Sequence, residues 1–297
     1  MDLLLRALTR VPLPILYGMG WVAYVVTFEL FRWRRDLARA NLRGAFPEKS
    51  DRELDVLLRQ SYRNLGLMIA EAIHGFGASK AEILDRVRIE NPELPLQYTR
   101  RGQSVILLTG HFCNWEWLLG GTAGHLGIPI DAVYKPQRVQ AVDRFLREAR
   151  ARLGGNPIPT KSFLHEVIRR RRTARAYALV ADQTPMRNED KHWTVFLHRD
   201  TAFYTGAGKI ARILNAPAIF VAMQRTRKGH YTARFELLSE PPYSRESEGA
   251  VIEAYARALE REIRSSPADW LWVHRKWKYP KPEVAAPATR PKQTAVR

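Results

Sequence analysis

Short β-rich runs alternate with helix-like segments through the last two-thirds of the chain, and this alternation restricts the fold more than any other feature. The runs SVILLT (104–109), AVYKP (132–136), AYALVAD (176–182), APAIFVAM (216–223) and YTARFELL (231–238) are each short enough for a strand. Between or after them lie NWEWLLGGTAGHLG, VDRFLREARARLG, GAGKIARIL and EGAVIEAYARALEREIRSS, which have helical length and spacing. Strands that alternate with helices predict an α/β layer fold: a central, mixed but mostly parallel β-sheet flanked by helices. Upstream, residues 36 to 90 read as helices. The stretch SDRELDVLLRQSYRNLGLMIAEAIHGF offers Ser50 or Asp51 as a cap and apolar positions near helical spacing, and predicts an amphipathic helix pair.

The amino terminus adds a second constraint. From Val11 to Phe31, 15 of 21 residues are apolar or aromatic and one, Glu29, is charged. That length is near the roughly 20 residues needed to cross a bilayer. Pro12, Pro14, Gly18 and Gly20 make a tilted or interfacial helix nearly as good a fit. No small-x-small site ends the run, as a cleaved signal peptide would require; Arg32, Arg34, Arg35, Arg39 and Arg43 follow instead. The excess of arginine after the run is expected to keep the bulk of the chain on the cytoplasmic side of the membrane. Three parts are therefore expected: an anchor or interfacial helix over 1–35, an α/β domain over 36–282, and a disordered basic tail over 283–297.

Charge narrows the partners. Lys and Arg number 48 against 30 Asp and Glu, a formal +18. Such an excess calls for an anionic partner: a phospholipid surface, a phosphorylated substrate, an acidic protein or nucleic acid. Nucleic acid alone does not account for the apolar 11–31 run, and no recognition motif for it is present. The single cysteine, Cys113, excludes an internal disulfide. The eight histidines have no HExxH or CxxC companion, so no metal is expected.

The chemistry concentrates at TGHFCNWEW, residues 109–117. On one continuous helix His111 and Glu116 would lie roughly 140° apart. They can meet if His111 sits on the turn after SVILLT, with Gly110 permitting that turn, Asn114 capping the next helix and Glu116 in its first turn. A carboxylate accepting from one ring nitrogen fixes the tautomer and leaves the other nitrogen basic, able to take a proton from an alcohol or amine.

His111-Phe-Cys-Asn-Trp-Glu116 resembles the H-x4-D/E motif of the glycerolipid acyltransferase superfamily, in the form found in late acyltransferases of lipid A biosynthesis. Tyr134-Lys135-Pro136 with the following DRFLREARARLG is similar to that family's Y-R/K-P block and its arginine-bearing helix. Ala181-Asp182-Gln183 resembles its DQ block, Thr205-Gly206 with Ala211-Arg212 its T-G…A-R stretch, and PADWLWVHRKWK (267–278) its closing motif. The resemblance runs from about residue 15 to 280. It implies a membrane-associated O-acyltransferase that needs no cofactor. The acyl chain would come from a thioester, commonly acyl carrier protein, and go to a hydroxyl of a lipid A precursor. His111 would be the general base and Glu116 its orienting partner. Asp182 and Gln183 would shape the acceptor side, and Lys135 and Arg138 would hold phosphates or the carrier's phosphopantetheine. Asn114, Lys161 and Arg275 complete the implied substrate contacts. Lys161 stands in for an arginine common in the family, and His198 stands where relatives usually carry glycine. The same chain could acylate another anionic glycolipid, such as a phosphatidylinositol mannoside, from acyl-CoA, or bind anionic lipid without catalysis.

Three rival features carry bland readings. Cys113 faces away from His111 at helical spacing and reads as a small buried residue rather than a nucleophile. TGAGK (205–209) lacks the flanking residues of a phosphate-binding loop, having Phe203 and Ile210 at the required positions. Arg169–Arg172 reads equally as a phosphate grip or a solvated helix face. Among the tryptophans, Trp272 is expected to point inward by alternation.

Overall fold

The computed structural model describes residues 2–245 and 247–282; the expected tail over 283–297 lies outside the described residues. Helix α1 (Asp2–Leu8) leads to α2 (Leu13–Tyr24), which continues without a break as a π-helical stretch, Val25–Leu30. Leu13–Leu30 is long and apolar enough to cross a membrane, with 28% of it buried inside the protein. One side packs inward through Leu16, Tyr24 and Phe28, while Ile15, Met19, Trp21 and Val22 are exposed on the other. A helix buried in a soluble core would not leave that much apolar surface uncovered.

Two further helices follow, α3 (Arg35–Ala45) and α4 (Asp51–Gly75). The segment expected to form a helix pair is the single 25-residue helix α4. Its start is a complete capping box: Ser50 accepts from the Glu53 amide, and the Glu53 carboxylate accepts from the Ser50 amide at 2.8 Å. Gly66, in mid-helix, is where a break could be sought. It serves packing instead, because a Cβ there would stand 2.5 Å from the Gly20 carbonyl oxygen. Each glycine lets the other's backbone approach, so α2 and α4 lie against one another at this crossing.

The remainder is the expected α/β layer. After α5 (Lys80–Arg86), β1 (Val87–Ile89) and α6 (Glu93–Thr99) come β2 (Val105–Thr109), α7 (Trp115–Leu126) and β3 (Ile130–Tyr134). Then follow α8 (Gln140–Arg152), β4 (Gly155–Pro159), α9 (Phe163–Arg170) and β5 (Ala176–Val180). The hairpin β6 (Lys191–Phe196) and β7 (Arg199–Tyr204) precedes α10 (Gly206–Leu214), β8 (Ala218–Arg227), β9 (His230–Ser239) and α11 (Ser247–Ser265). The seven-stranded sheet has the order β1-β9-β8-β2-β5-β3-β4, and every neighbouring pair except β8–β9 is parallel. Right-handed crossovers place α7 and α8 on one face and α9 and α10 on the other. The central strands are apolar on both sides, as a doubly covered parallel sheet requires: Val105, Ile106 and Leu108 are fully buried.

Three strand regions were not legible in advance. β1 (Val87–Ile89) falls within the 36–90 stretch read as helical, a three-residue strand visible only through its pairing with β9. β4 reads GNPIP; its two prolines suit an edge strand, and β4 is the sheet edge. The β6–β7 hairpin turns at Leu197 and His198, with φ of 49° and 64°. Both lie in the left-handed region that glycine or asparagine usually signals. Burial of Leu197 in the core holds the turn in place of that signal.

Candidate active site

The parallel register β2–β5 sets Thr109 opposite Val180, so the exit loops of the two strands run side by side. His111 and Asp182 meet there. His111 Nδ1 lies 2.6 Å from Asp182 Oδ1, while the His111 backbone N–H and the Trp270 indole N–H both donate to Asp182 Oδ2, each at 2.8 Å. Asp182 is 3% exposed. Burial alone would raise its pKa, but the adjacent imidazole and these hydrogen bonds outweigh burial and hold the carboxyl well below the usual range. A carboxylate fixed in this way makes Nδ1 the protonated ring nitrogen and leaves Nε2 as the base. The Gln183 side-chain amide lies 3.2 Å from Nε2, and Trp115 packs edge-on against the ring at 4.9 Å between centroids.

The turn that presents His111 differs in detail from the expectation. The left-handed residue is Cys113, at φ 50°. Gly110 is required for space: a Cβ would stand 2.7 Å from Leu259 Cδ1 and 3.2 Å from Asp182 Oδ2. Asn114 caps α7 as expected, accepting from the Trp117 amide at 3.0 Å. It is fully buried and its amide donates to Glu71, so it supports the loop and presents no face to substrate.

Glu116 is not the partner of His111. It stands in the first turn of α7 and receives a two-pronged ion pair from Arg150 of α8, Nε at 2.9 Å and Nη2 at 2.6 Å. The expectation failed because an acid five residues away is close in sequence, whereas the acid that completes the pair is 71 residues distant and arrives by strand pairing. Glu116 fastens α8 to α7 beside the site.

The other anticipated residues divide by place. Gln183 touches the imidazole. Lys135 follows β3, Arg138 precedes α8, and Lys161 follows β4; all three are exposed at the strand ends where His111 lies. Arg275 is exposed, and its carbonyl accepts from the Thr184 hydroxyl at 2.8 Å. His274 Nε2 accepts from the Thr184 amide at 3.1 Å. Burial lowers the His274 pKa to about 4, so it is a neutral acceptor near pH 7 and ties the closing motif to the loop that carries Asp182. The Arg169–Arg172 run lies away from the site: Arg169 and Arg170 pair with Glu166, and Arg170 and Arg175 converge on the buried Asp131 near the start of β3. Cys113 is buried, and burial pushes its thiol up, against a nucleophilic role. Trp272 is buried as expected, and so is Trp270.

Beside His111 runs a narrow cleft of about 360 Å³, its open mouth included, between α4 and residues 268–273. Arg225 of β8 lines it, held by Asp269 at 3.1 Å and by the fully buried Glu71 at 3.5 Å. Glu71 also accepts from Tyr17 at 3.0 Å and from the Tyr231 hydroxyl. Arg225 and Glu71 were not legible because they belong to no contiguous motif; Asp269 lies within the closing motif, but nothing in its spacing pointed to Arg225. A second cavity of about 400 Å³, almost wholly apolar, lies between the α2 π-helical stretch and α4, lined by Ala23, Tyr24, Phe31, Trp33 and Ile69. Tyr62 and Leu65 line both cavities.

Comparison with known proteins finds relatives among the acyltransferases of lipid A biosynthesis. A palmitoleoyltransferase of lipid A biosynthesis from Escherichia coli (strain K12) is 22% identical over 270 residues, 91% of this chain and 87% of the relative. A lipid A biosynthesis acyltransferase from Haemophilus influenzae is 25% identical over 283 residues, 92% and 87% of the two chains. The lauroyltransferase of lipid A biosynthesis from E. coli K12 is 20% identical over 275 residues. Residues 3–279 match the family described as bacterial lipid A biosynthesis acyltransferase, and the chain belongs to that family of O-acyltransferases.

Proposed function

We propose that the protein transfers a fatty acyl chain from an acyl thioester, carried by acyl carrier protein, to a hydroxyl of a lipid A precursor at the cytoplasmic face of the inner membrane. The observation that carries the reading is the buried Asp182 on His111 Nδ1, with Nε2 turned toward Gln183 and substrate space. Nε2 takes the proton of the acceptor hydroxyl as its oxygen attacks the thioester carbonyl. Asp182 stabilises the imidazolium that forms. The tetrahedral intermediate then expels the thiolate, which takes the proton back from Nε2. The ester and free thiol leave, and His111 returns to its starting state.

The two cavities that meet at Tyr62 and Leu65 suit the acyl chain, with the thioester beside His111 and the hydrocarbon running toward Phe31 and Trp33. Arg150, locked to Glu116, keeps α8 and the exposed Lys135 and Arg138 in place for anionic groups of the acceptor or carrier. Orientation of both reactants in such a site can offset at most about 7–11 kcal/mol of barrier.

The test is transfer from acyl carrier protein to a phosphorylated lipid A precursor in purified membranes, with mass spectrometry of the lipid product. His111→Ala should abolish transfer and remain membrane-associated. Undiminished turnover would remove His111 as the base, and transfer only from acyl-CoA to a different glycolipid would replace the donor and acceptor.

A further inference from the structure

The parallel sheet gathers three exit loops at one end: those after β3, β4 and β5, level with His111 and Asp182. Each loop carries one large apolar side chain turned to solvent. Val139, at the start of α8, is 50% exposed; Leu164, in the first turn of α9, 50%; Met186, after the Asp182 loop, 51%. Cations stand among them, one or two per loop: Lys135, Arg138, Lys161 and Arg187, all exposed. Among the described residues, none of these four pairs with a carboxylate. The acids nearby are already engaged. Asp190 is held by Lys209 at 2.5 Å, Glu189 accepts from the Met186 amide at 2.6 Å, and Asp143 accepts from the Gln137 amide at 2.7 Å.

Isolated apolar residues on a surface need no explanation, but one per loop on three successive loops, each with unpaired cations, at one end of the sheet, is a pattern. It has the composition of an interfacial lipid contact, in which apolar side chains enter the headgroup boundary and Lys or Arg meet lipid phosphates. We propose that this rim is a membrane-contacting surface in its own right, separate from the Leu13–Leu30 helix, and that it seats the mouth of the site on an anionic bilayer. The proposal rests on the reading of the acceptor as a membrane lipid only for its purpose; contact with lipid can be measured without turnover.

Because Cys113 is buried, a cysteine placed at Leu164 is the accessible thiol in the full-length protein. The Leu164→Cys protein, labelled with an environment-sensitive fluorophore, should be quenched by phosphatidylglycerol vesicles with brominated acyl chains. The same label at Ile213→Cys should not be. Ile213 is also exposed, at 44%, but closes α10 at the opposite end of the sheet. Phosphatidylcholine vesicles should quench Leu164→Cys less. The triple variant Val139→Ser, Leu164→Ser, Met186→Ser should bind anionic vesicles about tenfold more weakly with its helix content unchanged. A Leu164→Cys label that stays in water while the protein is vesicle-bound overturns the proposal. Equal quenching by both lipids overturns its electrostatic part. Quenching in a preparation without acyl transfer leaves the proposal standing and counts only against the acceptor reading.

Discussion

Replacing Asp182 with Asn keeps the size of the side chain and changes which ring nitrogen of His111 carries the proton. The His111 backbone N–H and the Trp270 indole N–H both donate to the Oδ2 position, so the amide oxygen of Asn must stay there. Its NH2 group is then forced onto the Oδ1 position, 2.6 Å from Nδ1 in the wild type. Two N–H groups cannot face each other across that gap, and a site only 3% exposed has no water to relieve them. Nδ1 must give up its proton, Nε2 gains one, and the base is lost. A wrong tautomer of this kind in a histidine–aspartate couple lowers kcat by about 10⁴, or about 5 kcal/mol of barrier. Glu116→Gln disturbs only the ion pair with Arg150 and should cost about tenfold or less, similar to Arg150→Met and not additive with it. Single-turnover transfer from acyl carrier protein, on protein shown to be folded, measures these three variants and the Glu116→Gln, Arg150→Met double variant. If Glu116→Gln abolishes transfer while Asp182→Asn retains most of its activity, the assignment of the partner is refuted.

Leu65 lines both the cleft and the apolar cavity, so Leu65→Trp should shorten the acyl chain accepted, read by competition between donors of different length; an unchanged preference places the chain elsewhere. Lys276 is buried, with Nζ donating to the Ala202 carbonyl at 3.0 Å and lying 3.9 Å from the Phe203 ring centre. Burial lowers its pKa from 10.5 to about 7, with Asp182 opposing in part. The folded state then binds fewer protons than the unfolded state between about pH 7 and 10.5, so this lysine makes stability rise with pH across that window, by at most roughly 5 kcal/mol. Lys276→Met should flatten that rise in denaturant titrations at pH 7 and 10, and an unaltered slope would mean the ammonium is not desolvated.

Much of the molecule was readable because local chemistry and tertiary structure agree. SVILLT, the turn and the Asn114 cap predict β2, the loop and α7 in sequence, and Ser50 with Glu53 predicts the start of α4. The apolar amino-terminal run is legible as a helix, though not its close packing on α4 through Gly20 and Gly66. Illegible features depend on contacts between distant segments. Asp182 reaches His111 only through the β2–β5 register, and Trp270 joins them from the closing motif. Arg225 and Glu71 share a buried network assembled from β8 and α4. Leu197 and His198 adopt left-handed backbone without the residues that advertise it, because the core holds Leu197.

Base catalysis by His111 depends on which of its ring nitrogens bears the proton at rest. Nitrogen-15 NMR of the imidazole in detergent-solubilised protein, assigned with His111→Gln, reads this directly. The geometry predicts that the neutral ring carries its proton on Nδ1, shifted downfield by its bond to Asp182, and leaves Nε2 without one. A neutral ring protonated on Nε2, unaffected by Asp182→Asn, would contradict it.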